Sequence, residues 1–218
     1  MRERVRGLAT PVARGLGRLG LTPNSLTIIG FLGTCVAALA AANQSWLIAG
    51  VLVLAFGIFD LFDGTLARAT GRASRLGAFL DSTFDRAGEA IVYVGIAIGC
   101  LAAGFDIGTI LAAYAMAAAF MVSYTRAKAE GLGFTSGSGM ANIGFAPREV
   151  RIGILVVGLV AAGVGPTGPA ILCLIAPCPQ PVAGGLLMLG VSVALIAVLA
   201  TLTTIQRILS VRAQSREG

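Results

Sequence analysis

Residues 46–66 read WLIAGVLVLAFGIFDLFDGTL, and no charged side chain interrupts the run between Trp46 and Asp60. A helix needs about 20 mostly apolar residues to cross a bilayer, and this stretch supplies them. Comparable apolar spans lie on both sides of it, at 25–42, 78–103, 107–127, 150–174 and 183–206. Over 218 residues the chain is 56% hydrophobic and 12% charged, with a mean hydropathy of +0.89. So few polar groups cannot cover a water-soluble surface. The expected fold class is all-α integral membrane, with six transmembrane helices in one domain over 21–210 and a short cytoplasmic tail at 211–218.

Residues 1–20 differ from the spans. Val5, Leu8, Val12, Leu16 and Leu19 recur at helical spacing against Arg4, Arg14 and Arg18, the pattern of an amphipathic helix lying in the membrane interface. The early arginines, with no continuous apolar core, do not form a cleavable signal. Thr22-Pro23-Asn24 then supplies a helix start, with a capping side chain and a proline near the first turn.

The positive charges test the span count. With six spans and a cytoplasmic N-terminus, all 16 Lys and Arg residues fall on the cytoplasmic side. None falls in the outer loops near 43–45, 104–106 and 165–182. Both termini are therefore expected in the cytoplasm, in a multi-pass protein of the cell membrane. The net charge of +6 is read as topology and not as a nucleic-acid footprint, because no aromatic residues interleave with the basic ones. The chain has four cysteines, no CxxC spacing and no histidine, which excludes a Cys/His zinc site. Cys173 and Cys178 flank the last outer loop, and the sequence leaves open whether they are bonded.

Four of the ten acidic residues, Asp60, Asp63, Asp81 and Asp85, gather at the cytoplasmic end of span two and the start of span three. Spacings of three and four place each pair on one helix face. Two adjacent antiparallel helices joined near 68–77 would bring the pairs together. Carboxylates so close repel one another and need positive charge among them. Arg68, Arg72, Arg75 and Arg86 are candidates, but an oxygen-only cluster is also what Mg²⁺ or Mn²⁺ prefers. A cation pathway through the membrane is an alternative reading, yet the acids cluster at one interface and do not run through the bilayer. Gly64, Ala67 and Gly77 strip bulk from the faces beside the acids, so a ligand, or simply a neighbouring helix, could approach closely. A second cationic group, Arg126, Lys128, Arg148, Arg151 and Arg207, lies at the cytoplasmic ends of spans four, five and six. Converging, these residues would form an anion pocket.

The run Asp60-x2-Asp63-Gly64-x2-Ala67-Arg68-x8-Gly77-x3-Asp81-x3-Asp85 resembles the signature of the CDP-alcohol phosphotransferase family at every fixed position. The six spans and the N-terminal interfacial helix also fit that family, so the resemblance covers nearly the whole chain. It implies an enzyme of phospholipid biosynthesis that takes CDP-diacylglycerol and lets an alcohol displace CMP. By position, Asp60, Asp63, Asp81 and Asp85 would hold two divalent ions, Mg²⁺ or Mn²⁺, and Asp85 would act as the general base. Asn24, Thr27, Asp60, Gly64, Ala67, Arg68, Ser74 and Gly77 would hold the CDP-lipid. Ser123–Glu130 and Pro147-Arg148-Glu149 are similar to the matching stretches of phosphatidylinositol phosphate synthases, which implies inositol 1-phosphate as acceptor, its phosphate held by the basic cluster. Ala146, where a polar residue is commoner, and the Gly/Ser-rich loop at 131–146 depart from that pattern. Glycerol 3-phosphate is the alternative acceptor, as in phosphatidylglycerophosphate synthases. The family also implies a homodimer.

Overall fold

The computed structural model describes Gly15 and residues 21–69, 71, 73–134, 144–165 and 183–217, with the side chains of 60–65, 69 and 217 outside the described set. The interfacial helix expected over 1–20 lies outside it apart from Gly15, and Cys173 and Cys178 lie outside it altogether. The described chain forms six helices: α1 (Pro23–Ala42), α2 (Trp46–Ala69), α3 (Arg75–Ala102), α4 (Asp106–Gly131), α5 (Arg148–Val164) and α6 (Gly184–Glu217). Each stands where an apolar span was read.

Local chemistry fixes their ends. Thr22 caps α1 in a reciprocal box: its hydroxyl accepts the Ser25 amide at 3.2 Å, and the Ser25 hydroxyl accepts the Thr22 amide at 2.8 Å. Pro23 opens the first turn, where a missing N–H costs nothing. Ser74 caps α3 by accepting the Gly77 amide at 3.0 Å. α5 stops at Val164 because the backbone turns extended at Gly165, just before Pro166, as the residue preceding a proline prefers. The span expected to reach 174 therefore has its described helix ten residues shorter, and 166–174 lie outside the described residues. At the other extreme, α6 continues past the expected end at 206 to Glu217.

Extensive packing joins α1 to α2 and α3, α4 to α3 and α6, and α5 to α2 and α6. The helices thus close a ring in the order α1, α2, α5, α6, α4, α3. This differs from the expected pairing of α2 with α3 as direct neighbours: the principal partner the two share is α1, which stands between them. The reason lies in small residues on α3 and α1. A Cβ on Gly95 would come within 2.3 Å of the Ala38 carbonyl oxygen, and one on Gly99 within 2.2 Å of that of Ala41. Lipid tails are as apolar as leucine, so helices in a membrane associate where small residues allow close van der Waals contact. α3 offers that contact to α1.

The ring's core alternates small and large side chains, with Ala37, Ala41, Ala49, Ala112 and Ala115 among Tyr93, Ile96, Leu155, Leu159, Leu189 and Ile196. Large apolar side chains also cover the outside, among them Leu32, Leu39, Ile110, Val157, Val191 and Val198. A protein apolar on both its inner and outer faces belongs in lipid. By length and composition, α1, α4 and the Gly184–Arg216 part of α6 can cross a membrane, and α2 adds the apolar stretch Trp46–Phe59. The chain is an integral membrane protein. Alternation of the helices brings the starts of α1, α3 and α5 and the later parts of α2, α4 and α6 to one end of the ring, and that end carries every described charged side chain except Asp106.

Candidate active site

Two cavities at the charged end border successive turns of α3. The first, of about 190 Å³, lies between α2 and α3 over the start of α1. Pro23, Asn24, Thr27, Ala67, Arg68, Ser74, Gly77 and Asp81 line it. Gly77 lets α1 and α3 meet here: a Cβ in its place would stand 3.1 Å from Ser74 Oγ and 3.2 Å from Asn24 Oδ1. The starts of α1 and α3 both border the cavity, so the positive ends of two helix dipoles bias it toward anions. Arg68, near the end of α2, adds a full positive charge. Thr27 turns its hydroxyl back to the Pro23 carbonyl at 3.2 Å.

One turn beyond Asp81, Asp85 faces the second cavity. Its Oδ1 lies 3.0 Å from an Arg148 guanidinium nitrogen, and its Oδ2 lies 3.6 Å from Arg86. This cavity measures about 470 Å³ and is lined by Asp85, Arg86, Ser123, Arg126, Arg148, Glu149, Arg151 and Arg207, among others. Five arginines stand against two carboxylates in its lining, and Glu89 and Glu130 pair with two of the five, so the cavity keeps a positive balance. A smaller space bounded by Thr27, Phe31, Thr34, Phe84, Asp85, Gly88 and Arg148 lies between the two cavities. Thr27 borders the first cavity and this space, while Asp85 and Arg148 border this space and the second cavity.

The arginines of the basic cavity are not equivalent. Arg151 is 2% exposed and binds Glu89 through both ends of its fork, Nε to Oε1 and Nη2 to Oε2, each at 2.7 Å. Its third nitrogen donates to the Ala146 carbonyl at 2.8 Å. Arg207, 4% exposed, donates to the Val122 carbonyl. Arg126 pairs along α4 with Glu130 at 2.9 Å on a half-open surface. Lys128 stands apart, on a neighbouring hollow of about 180 Å³ lined by Tyr124, Leu132, Phe134 and Ile208.

Of the residues singled out in the sequence, Asn24, Thr27, Ala67, Arg68, Ser74, Gly77 and Asp81 meet in the first cavity, and Asp85, Arg126, Arg148, Arg151 and Arg207 meet in the second. Asp60, Asp63 and Gly64 lie in α2, and their side chains are outside the described residues. Glu89 and Thr203 were not singled out. Glu89 was legible as the next step in the i+4 series Gly77, Asp81, Asp85 on α3. Thr203 carried no signal, being a threonine within an apolar helix.

Residues 20–205 match the family model described as CDP-alcohol phosphatidyltransferase. The archaetidylinositol phosphate synthase of Pyrococcus horikoshii is 41% identical over 157 residues, spanning 72% of this chain and 79% of that protein. The phosphatidylinositol phosphate synthase of Streptomyces avermitilis is 33% identical over 212 residues, 96% of this chain and 80% of the relative. Among solved structures, phosphatidylinositol phosphate synthase of Mycobacterium tuberculosis in complex with manganese and citrate superimposes with a TM-score of 0.76 at 29% identity, covering 94% of this chain and 88% of the other. The same enzyme with CDP-DAG bound gives a TM-score of 0.73 at 32% identity, covering 93% and 92%.

Proposed function

The chain belongs to the CDP-alcohol phosphatidyltransferase family, and from that premise we propose that it transfers the phosphatidyl group of CDP-diacylglycerol to inositol 1-phosphate, releasing CMP. The observation that carries the reading is the placement of Asp81 and Asp85, one turn apart on α3, in the walls of two different cavities. One cavity has the helix starts and small residues that suit a nucleotide diphosphate. The other has the charge that suits a phosphate monoester.

The reaction is a displacement at the phosphorus of the phosphatidyl group. The acceptor's hydroxyl oxygen forms the new bond, the bond to the CMP oxygen breaks, and CMP leaves with that electron pair. Asp85 takes the acceptor's hydroxyl proton, as a carboxylate does in general base catalysis. Arg68 and the dipoles of α1 and α3 stabilise charge on the diphosphate oxygens. Asn24, Thr27, Gly64, Ala67, Ser74 and Gly77, with Asp60, hold the CDP portion. Arg148 and Arg126 hold the acceptor's phosphate, with Arg207 and Arg151 behind them and Lys128 at the neighbouring hollow.

The donors fit a hard divalent cation, because the Asp81 carboxylate shares its cavity with the hydroxyl of Ser74 and the amide oxygen of Asn24, and the chain holds no histidine to favour a softer metal. Asp60, Asp63, Asp81 and Asp85 would hold Mg²⁺ or Mn²⁺, two ions in all, neutralising the diphosphate and the departing CMP. We place the ring in the cell membrane with six crossings and both termini in the cytoplasm, because the described cations gather at one end. The protein is read as a homodimer on the strength of its family. A cation-transport role fits poorly, since the described acidic residues other than Asp106 also collect at that end.

Purified protein incubated with CDP-diacylglycerol, Mn²⁺ and each acceptor in turn tests the reading by CMP release. Rapid release with inositol 1-phosphate, and little with glycerol 3-phosphate or free inositol, is expected. Preference for glycerol 3-phosphate would reassign the acceptor, and no release with any of them would end the enzyme reading.

A further inference from the structure

We propose that Glu89 and Thr203 are positioning residues that clamp the segment Gly144–Pro147 and so set the geometry of the basic cavity for its acceptor; the inference rests on the reading of that cavity given above. The segment leads directly into α5, whose first residue, Arg148, reaches Asp85 at 3.0 Å. It is gripped from two sides. On the α6 side, Thr203 Oγ1 accepts the amide N–H groups of Phe145 at 3.1 Å and Ala146 at 3.0 Å, while its own proton goes to the Leu199 carbonyl at 2.8 Å. One donor and two acceptor sites are all that a hydroxyl has, and this one uses each. On the α3 side, Arg151 donates to the Ala146 carbonyl at 2.8 Å and is itself fixed by the two-pronged bond to Glu89.

Both grips are dry. Ala146 and Thr203 are fully buried, and the side chains of Arg151 and Glu89 are 2% and 8% exposed. Buried backbone groups of an irregular segment must find partners, and two side chains supply them here for three groups. Gly144 shows how tightly the segment lies on α6. Its φ is +118°, and a Cβ there would come within 2.1 Å of Thr203 Cγ2. Glu89 is one turn from Asp85 on α3, so a single helix carries both the carboxylate that Arg148 meets and the carboxylate that anchors the segment before it. The clamp thereby ties the position of Arg148 to the helix that bears the reacting groups.

The test separates positioning from folding by measuring two ligands. Thr203→Val keeps the side chain's shape and removes its acceptor, and Thr203→Ser restores the hydroxyl. Glu89→Gln combined with Arg151→Met removes both buried charges at once, avoiding the lone buried ion that makes single removals strongly destabilising. Calorimetric titration of purified, Mn²⁺-loaded protein with inositol 1-phosphate and, separately, with CDP gives the affinities. Thr203→Val and the double variant are expected to weaken inositol 1-phosphate by about tenfold, the scale of leaving buried amides unpaired, with CDP within about twofold. Thr203→Ser is expected to bind both ligands like the wild type. If Thr203→Val does not fold, Thr203→Cys, which keeps the bulk and offers only a weak acceptor, decides, because the double variant also removes a charge from the basic cavity. Equal weakening of both ligands, or no change in either, overturns the clamp while leaving the cavity's assignment in place. A wild type that binds CDP and not inositol 1-phosphate removes that assignment, and the clamp's role with it.

Discussion

The two cavities bordered by Asp81 and by Asp85 are built in opposite ways. The first draws on the start of α1 and on a stretch from the end of α2 to the start of α3, and its chief device is absence of bulk at Ala67 and Gly77. The second gathers side chains from four helices spread between Asp85 and Arg207, and its chief device is charge held in place by internal bonds. A nucleotide diphosphate can be gripped by backbone, dipole and metal, which asks for room. A small phosphorylated alcohol must be gripped by side chains, which asks for rigidity. On the proposed function, damage to the first region falls on the lipid substrate and damage to the second on the acceptor.

The largest effect is expected at Asp85, which borders the basic cavity and the small space between the two cavities. Asp85→Asn removes the proton acceptor without changing size, and kcat should fall by about 10²–10⁴-fold, the usual contribution of a general base. Metal-dependent binding of CDP-diacylglycerol, measured by titration, should persist. Loss of that binding would make Asp85 chiefly a metal ligand. Next in size is Gly77→Val, which drives a side chain toward Asn24 and Ser74. The KM for CDP-diacylglycerol should rise by roughly tenfold or more with the acceptor KM little changed, the signature of lost ground-state binding on one side alone. Equal changes in both would show that α1 and α3 had separated and disturbed the whole end of the ring.

The basic cavity should give the mirror image. Arg148→Ala should raise the acceptor KM by about tenfold and leave the lipid KM nearly constant, as expected for a charge-assisted contact to one substrate. Arg126→Ala should do the same more weakly, by about threefold, because Arg126 sits on a half-open surface where water screens its charge. Raising the salt concentration should shrink the Arg126 effect before the Arg148 effect. The reverse order would place the acceptor's phosphate nearer α4 than α5.

These contrasts also explain what could be read from the sequence. The six helices were legible from their apolar spans, with Thr22-Pro23-Asn24 marking the start of the first, whereas the end of the fifth was not, its expected bound at 174 lying past Gly165. The first cavity was legible for a similar reason: most of its lining is local, and its spacing repeats the helix period. The order of the helices around the ring was not, because a helix apolar on every side does not announce its neighbours. The close approach of Gly95 and Gly99 to Ala38 and Ala41 is what set α1 between α2 and α3. The roles of the arginines were hidden more deeply. Arg148 and Arg151 are three residues apart and look alike in sequence, yet one reaches Asp85 at the cavity and the other is held by Glu89, 62 residues away. A positive charge gives no sign in sequence of whether its partner will be a ligand or a buried carboxylate, and Thr203 gave no sign of a partner at all.

On the proposed function, the two substrates occupy neighbouring cavities together and react directly across the Asp81–Asp85 turn. Initial rates of CMP release over a matrix of CDP-diacylglycerol and inositol 1-phosphate concentrations test it most directly. Double-reciprocal lines that intersect, with no CMP burst before acceptor is added, are the predicted result. Parallel lines with a burst, the mark of a covalent phosphatidyl-enzyme, would contradict it.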